Sequence, residues 1–105
     1  MGYRTKESAL ADECLEYIKH LIEGGAPIYL EHRSGSGGFN YKKGVPDIFL
    51  VINGRHIEIE LKAPNGKLST MQEKFKWRCE TIWKIPHFVP RTFEEFKEVV
   101  DKYLE

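Results

Sequence analysis

The sequence of 105 residues predicts an α/β domain of order α-β-β-β-α-β-α, a short mixed central sheet flanked by helices. Three observations carry that expectation. Residues 5–23 hold an apolar stripe of helical period. Two β-rich runs, 45–52 and 55–62, are separated by Asn53-Gly54 alone. Two capping-box patterns, Ser69-x-x-Gln72 and Thr92-x-x-Glu95, each open a run with helical spacing.

Taken in order, the first helix places Leu10, Ala11, Cys14, Ile18, Leu21 and Ile22 on one side. Asp12, Glu13, Glu16, Lys19, His20 and Glu23 take the other, and Gly24-Gly25 ends the run. Glu7 breaks the pattern, because it falls in the middle of the apolar stripe. Residues 26–33 read as a strand, and residues 34–44, with four glycines, as a loop. Asn-Gly between β-rich runs is the signature of a two-residue type I′ hairpin. After Ser69, Met71, Phe75, Cys79 and Ile82 follow at helical spacing. Residues 85–89, bounded by prolines, read as an edge strand. The last helix carries Phe93, Phe96, Val99, Val100 and Tyr103 as its buried face.

At this length the expectation is one domain, residues 1–105, and 41% hydrophobic residues suffice for one modest core. No apolar run approaches the roughly 18 residues of a membrane span, and the first residues lack a secretory h-region. Cys14 and Cys79 have no metal-ligand spacing. A cytoplasmic protein with two reduced thiols is expected.

Sixteen basic and sixteen acidic side chains give zero net charge, which argues against a polyanionic partner until the charges are located. Residues 1–31 carry a net −3, residues 32–78 a net +5, and residues 79–105 a net −2. A local positive face attracts phosphate over a Debye length, about 8–10 Å, whatever the total.

The hairpin turn fixes the register. With a two-residue loop, position 52 opposes 55, so Asp47 opposes Glu60. Alternation sends Glu58, Glu60 and Lys62 to one face of the second strand and Ile57, Ile59 and Leu61 to the other. Facing like charges destabilise a hairpin. Two readings account for them. Either this is an exposed face with solvated acids, or Asp47 and Glu60 share a hard divalent cation such as Mg²⁺ or Mn²⁺, with Lys62 toward a phosphate or an attacking water. Glu7 likewise has two readings, an acid favoured by the helix dipole or a third acid converging on the site.

Pro46-Asp47, twelve residues, then Glu60-Leu61-Lys62 resembles the PD-(D/E)XK signature of metal-dependent nucleases. The set of Glu7, Gly44-Val45-Pro46-Asp47, Glu60-Leu61-Lys62-Ala63-Pro64 and Lys67-Leu68-Ser69-x-x-Gln72 resembles the VRR-NUC branch over roughly residues 5–90. The resemblance implies a restriction-endonuclease-like fold. It also implies Mg²⁺ or Mn²⁺ held by Asp47, Glu60 and the main-chain carbonyl of Leu61, with Glu7 as a possible further ligand. Lys62 matches the residue that positions the nucleophilic water, and Gln72 a glutamine near the site, although a capping box favours Gln there too. Family members commonly carry a glycine after the second helix, where this sequence has Thr81-Ile82-Trp83-Lys84.

Stand-alone relatives of this size, of phage or bacterial type, resemble Holliday junction resolvases and act as homodimers. The implied substrate is DNA, foremost a four-way junction. The alternatives are a nuclease acting on flaps, forks or plain duplex, and a catalytically silent nucleic-acid-binding module. Arg33, Lys42 and Lys43 are candidate phosphate contacts, with Phe39 and Tyr41 to stack on an exposed base. Lys67, Lys74 and Lys76 extend the basic surface. The loop has an alternative reading as a solubilising connection. Tyr3, Tyr29, Trp77, Trp83 and Phe88 are many large side chains for a small core and are candidates for a dimer interface.

Overall fold

The computed structural model describes residues 6–33 and 44–105. Helix α1 (Lys6–Glu23) buries Leu10, Cys14 and Ile18 from the apolar stripe, while Ile22 in its last turn is exposed. Strand β1 (Ile28–His32) is shorter than the run 26–33, because Pro27 has no N–H to give to a ladder. Strands β2 (Ile48–Ile52) and β3 (Arg55–Ile59) form the expected hairpin. Asn53 and Gly54 both have positive φ, 52° and 78°, as a type I′ turn requires. The pairing then runs from Ile52 opposite Arg55 to Ile48 opposite Ile59, the register that the turn dictates.

Beyond Ile59 the chain stays aligned on its other side. The amides of Glu58, Glu60 and Lys62 donate to the carbonyls of Pro86, Phe88 and Pro90 at 3.0, 2.9 and 3.3 Å. This is parallel pairing with strand β4 (His87–Phe88), so the sheet is mixed, in the order β1-β2-β3-β4. Alternation puts Ile48, Leu50, Ile52, Ile57, Ile59 and Leu61 into one core cluster with Phe96 and Val100 of helix α3 (Phe93–Leu104) and the buried side chains of α1. Glu58 and Glu60 are left on the opposite face, yet both are buried.

Helix α2 (Thr70–Arg78) starts with a complete capping box. Ser69 Oγ accepts from the Gln72 amide at 3.1 Å, and Gln72 Oε1 accepts from the Ser69 amide at 2.8 Å. The second box is only half formed: Thr92 Oγ1 accepts from Glu95 N, but the Glu95 carboxylate takes the amide of Arg91 rather than that of Thr92.

The expected buried seam of Met71, Phe75, Cys79 and Ile82 does not form. Only Cys79 is buried, whereas Met71 and Ile82 are exposed. The helix widens into a π-helical turn over Cys79–Trp83, in which each residue turns through a smaller angle, so Ile82 lags away from the face that Cys79 occupies. Trp83 instead meets Phe75 edge-on at 5.4 Å.

The π turn ends at Lys84, whose φ of 57° and ψ of 38° are left-handed. A lysine thus holds a conformation that glycine adopts without steric cost. Lys84→Gly is expected to raise stability by about 0.5–1 kcal/mol, read as a higher urea midpoint with an unchanged m-value.

Candidate functional site

Asp47 lies at the entrance of β2, and two hydrogen bonds fix it there. Its carbonyl accepts from the Arg33 amide at 2.8 Å, and its Oδ2 accepts from the Leu61 amide at 3.0 Å. Gly44, three residues earlier, has φ of 87°, and a Cβ on it would lie 2.4 Å from the Met71 carbonyl oxygen. Only glycine lets this turn close against the first turn of α2. That closure brings Asp47 beside the start of the helix that carries Gln72.

Glu60 is 2% exposed. Its Oε2 accepts from Gln72 Nε2 at 3.0 Å, while its Oε1 is buried without a hydrogen-bond partner. Burial and the Asp47 charge push the Glu60 carboxyl up to about 8, together with a hydrogen bond to Asp47 that only a protonated pair makes and the charge of Glu7; Lys62 pulls the other way. The exposed-face reading therefore does not describe Glu60, which is buried, although Asp47 beside it is only half-buried. Gln72 makes two contacts at once, since its Oε1 closes the cap and its Nε2 donates to Glu60. Glu7, in the first turn of α1, is close enough for its charge to act on Glu60. Among the described residues no group of three His, Cys, Asp or Glu side chains is gathered as a ready ligand set, so the close pair is Asp47 and Glu60. Leu61 enters through its amide, and its side chain fills the core.

Two adjacent carboxylates, one with an unsatisfied buried oxygen, fit a hard divalent cation or a shared proton. The cysteines do not compete for this role. Burial pushes the Cys14 and Cys79 thiols up to about 12 and about 11, so both stay protonated.

This architecture aligns with a solved structure described as a VRR_NUC domain, with a TM-score of 0.71 and 21% identity, covering 94% of this chain and 98% of that one. The fold is that of a VRR_NUC domain. No protein-family model and no curated protein sequence matches the chain.

Within this VRR_NUC fold a second charged group lies on the same sheet face as Glu60, one that the sequence reading missed. Arg33 Nη1 and Nη2 donate to Glu58 Oε1 and Oε2 at 2.7 and 3.3 Å, and Nη1 also donates to the Pro46 carbonyl at 3.1 Å. His56 Nε2 lies 2.7 Å from Glu58 Oε2, and its ring lies 4.2 Å from that of Phe49, tilted by 40°. Arg33 was expected on a DNA-contacting surface. The structure instead places its guanidinium, 14% exposed, on a buried carboxylate, where it ties the end of β1 to the Pro46-Asp47 segment. The i, i+2 spacing of His56 and Glu58 signals a shared face, but nothing local signals that Arg33 reaches it across β2.

Arg33→Lys keeps the charge and loses the two-pronged geometry. It is expected to lower stability by about 1–2 kcal/mol, measured by urea unfolding, because Glu58 stays buried with a poorer partner.

Of the remaining candidates, Lys67 and Lys74 are exposed, and Lys76 pairs with Glu80. Lys42, Lys43, Phe39, Tyr41 and Tyr3 lie outside the described residues. Phe88 packs against the core and meets Tyr103 edge-on, so it is not a free aromatic. Tyr29, Trp77 and Trp83 are exposed.

Proposed function

We propose that this protein is a metal-dependent deoxyribonuclease in which Asp47 and Glu60 hold Mg²⁺ or Mn²⁺. The observation that carries this reading is the buried Glu60 carboxylate beside half-buried Asp47, with Glu60 Oε1 unsatisfied and Glu60 pushed up to about 8. Such an arrangement destabilises a fold unless a cation or proton neutralises it. A bound divalent ion supplies an activated water and charge neutralisation on the scissile phosphate. Gln72 fixes the Glu60 carboxylate, and the Leu61 amide fixes that of Asp47. Lys62 supplies a positive charge beside the pair, where negative charge develops on the phosphate. Glu7 is proposed to act through water, and the Leu61 carbonyl to complete the ligand set.

Within this reading a four-way junction is the preferred substrate. Symmetric cutting then calls for a homodimer, for which the exposed Ile82 and Trp83 of the π turn are the proposed contact. Sedimentation at micromolar concentration is expected to return twice the 12.2 kDa chain mass, reverting to the single mass in Trp83→Glu.

The test of function is a panel of labelled four-way junction, fork, flap, linear duplex and single strand, each with Mg²⁺, Mn²⁺ or EDTA. Metal-dependent cutting that is lost in Asp47→Asn and Lys62→Ala supports the proposal. No cutting of any substrate overturns it in favour of a binding module. Cutting of linear duplex as fast as junction overturns the junction preference alone.

A further inference from the structure

The outer face of α2 carries Thr70, Lys74, Trp77 and Arg78 at successive turns, around a shallow cleft of about 380 Å³ that Glu73 also lines. Its inner positions are 72, 75, 76 and 79, so Trp77 points away from the domain, 57% exposed. No side chain of α2 itself is fully buried, and among the described residues Trp77 makes no ring contact. Lys74 and Arg78 make no ion pair among the described residues, whereas the helical cations Lys76 and Lys97 are paired to Glu80 and Asp101.

Each feature is unfavourable for the isolated helix. Like charges four residues apart repel by a few tenths of a kcal/mol. A large exposed indole contributes nothing to the core. Together they fit one class of ligand, since an indole face flanked by two unpaired cations matches a base flanked by its phosphates.

We infer that this face binds single-stranded or extruded nucleotides, with a base stacked on Trp77 and the neighbouring phosphates on Lys74 and Arg78. Bases inside a duplex have both faces covered, so the platform selects unpaired segments. Five residues of helix separate Trp77 from Gln72, an axial rise of about 7–8 Å, but the two side chains lie on nearly opposite faces of α2, so a strand stacked on Trp77 passes around the helix to reach the acid pair. The inference deepens the nuclease reading and rests on its nucleic-acid substrate. It assigns to α2 the choice of strand region delivered to the site.

The test uses Trp83→Phe, which leaves Trp77 as the only tryptophan. Because it is run in EDTA, it does not depend on cleavage. Short oligothymidylate is expected to quench Trp77 emission saturably, with an affinity at least roughly 10-fold above that for a blunt duplex of equal charge. Adding Lys74→Glu and Arg78→Glu is expected to weaken binding by roughly 10-fold or more and to flatten its salt dependence. No quenching, or equal quenching by blunt duplex, overturns the inference. So does a protein-concentration-dependent blue shift without DNA, which assigns the face to a second copy of the chain. Quenching with no cleavage of any substrate leaves the inference standing and removes the nuclease reading; cleavage without quenching does the reverse.

Discussion

Glu60→Gln is expected to raise the melting temperature of the metal-free protein at or above pH 8 and, in the same variant, to abolish metal-dependent cleavage. Burial and Asp47 lift the Glu60 carboxyl from 4.5 to about 8, so between those values the folded chain holds a proton that the unfolded chain releases. Stability from this group is therefore complete below about pH 4.5 and is lost as pH rises through about 8. An amide of the same shape removes the charge that the site resists. The gain is roughly 2 kcal/mol, or about 8–16 °C in melting temperature for a domain of this size. It should vanish near pH 5, where the wild-type carboxyl carries its proton. Mg²⁺ should stabilise the wild type by mass action, more above pH 8 than at pH 6, and should not stabilise Glu60→Gln. Cleavage falls by roughly 100-fold or more, since a neutral amide cannot replace a carboxylate ligand. Thermal melts across pH, in EDTA and in Mg²⁺, check both halves. A variant that loses activity and also loses stability at pH 8 would show the acid pair to be structural.

Gly44→Ala carries the largest expected structural effect. The new methyl group would lie 2.4 Å from the Met71 carbonyl oxygen and 2.6 Å from its carbon, at a φ of 87°. No side-chain rotamer relieves a clash with backbone, so either the turn or α2 must move. A loss of about 3 kcal/mol or more is expected, with a fall of at least about 10 °C in melting temperature. Because the same turn delivers Asp47 to Glu60 and Gln72, cleavage should fall further than the unfolded fraction explains. Gly54→Ala is the matched control. Its φ of 78° is also left-handed, but nothing lies within 4 Å of the added Cβ, so only the conformational cost of about 1 kcal/mol applies.

The parts of this molecule legible in its sequence are those set by local rules. Asn53-Gly54 specifies its own turn, the turn specifies the register, and the register brings Asp47 opposite Glu60 through simple alternation. Ser69 and Gln72 cap α2 by a bond pattern contained in four residues. What could not be read is set by distant packing. Glu58 and Glu60 share a strand face and a burial class, yet Arg33 neutralises one and Gln72 contacts the other, and nothing near residue 58 announces the arginine. Met71, Phe75, Cys79 and Ile82 have the period of a buried seam, but a π turn rotates the last of them outward and Lys84 closes it in a conformation that no propensity favours for lysine. The free cations and indole of α2 are visible as residue types, but their outward placement emerges only once the inner face is known.

The claim on which the account turns is that Asp47 and Glu60 hold a divalent cation. Calorimetric titration of Mn²⁺ into the metal-free protein at pH 8, compared with Asp47→Asn and Glu60→Gln, tests it without reference to any DNA substrate. Saturable binding by the wild type, with proton release as Glu60 ionises, and at least roughly 10-fold weaker binding in both variants is the predicted result. Wild-type binding no tighter than that of the two variants would contradict it.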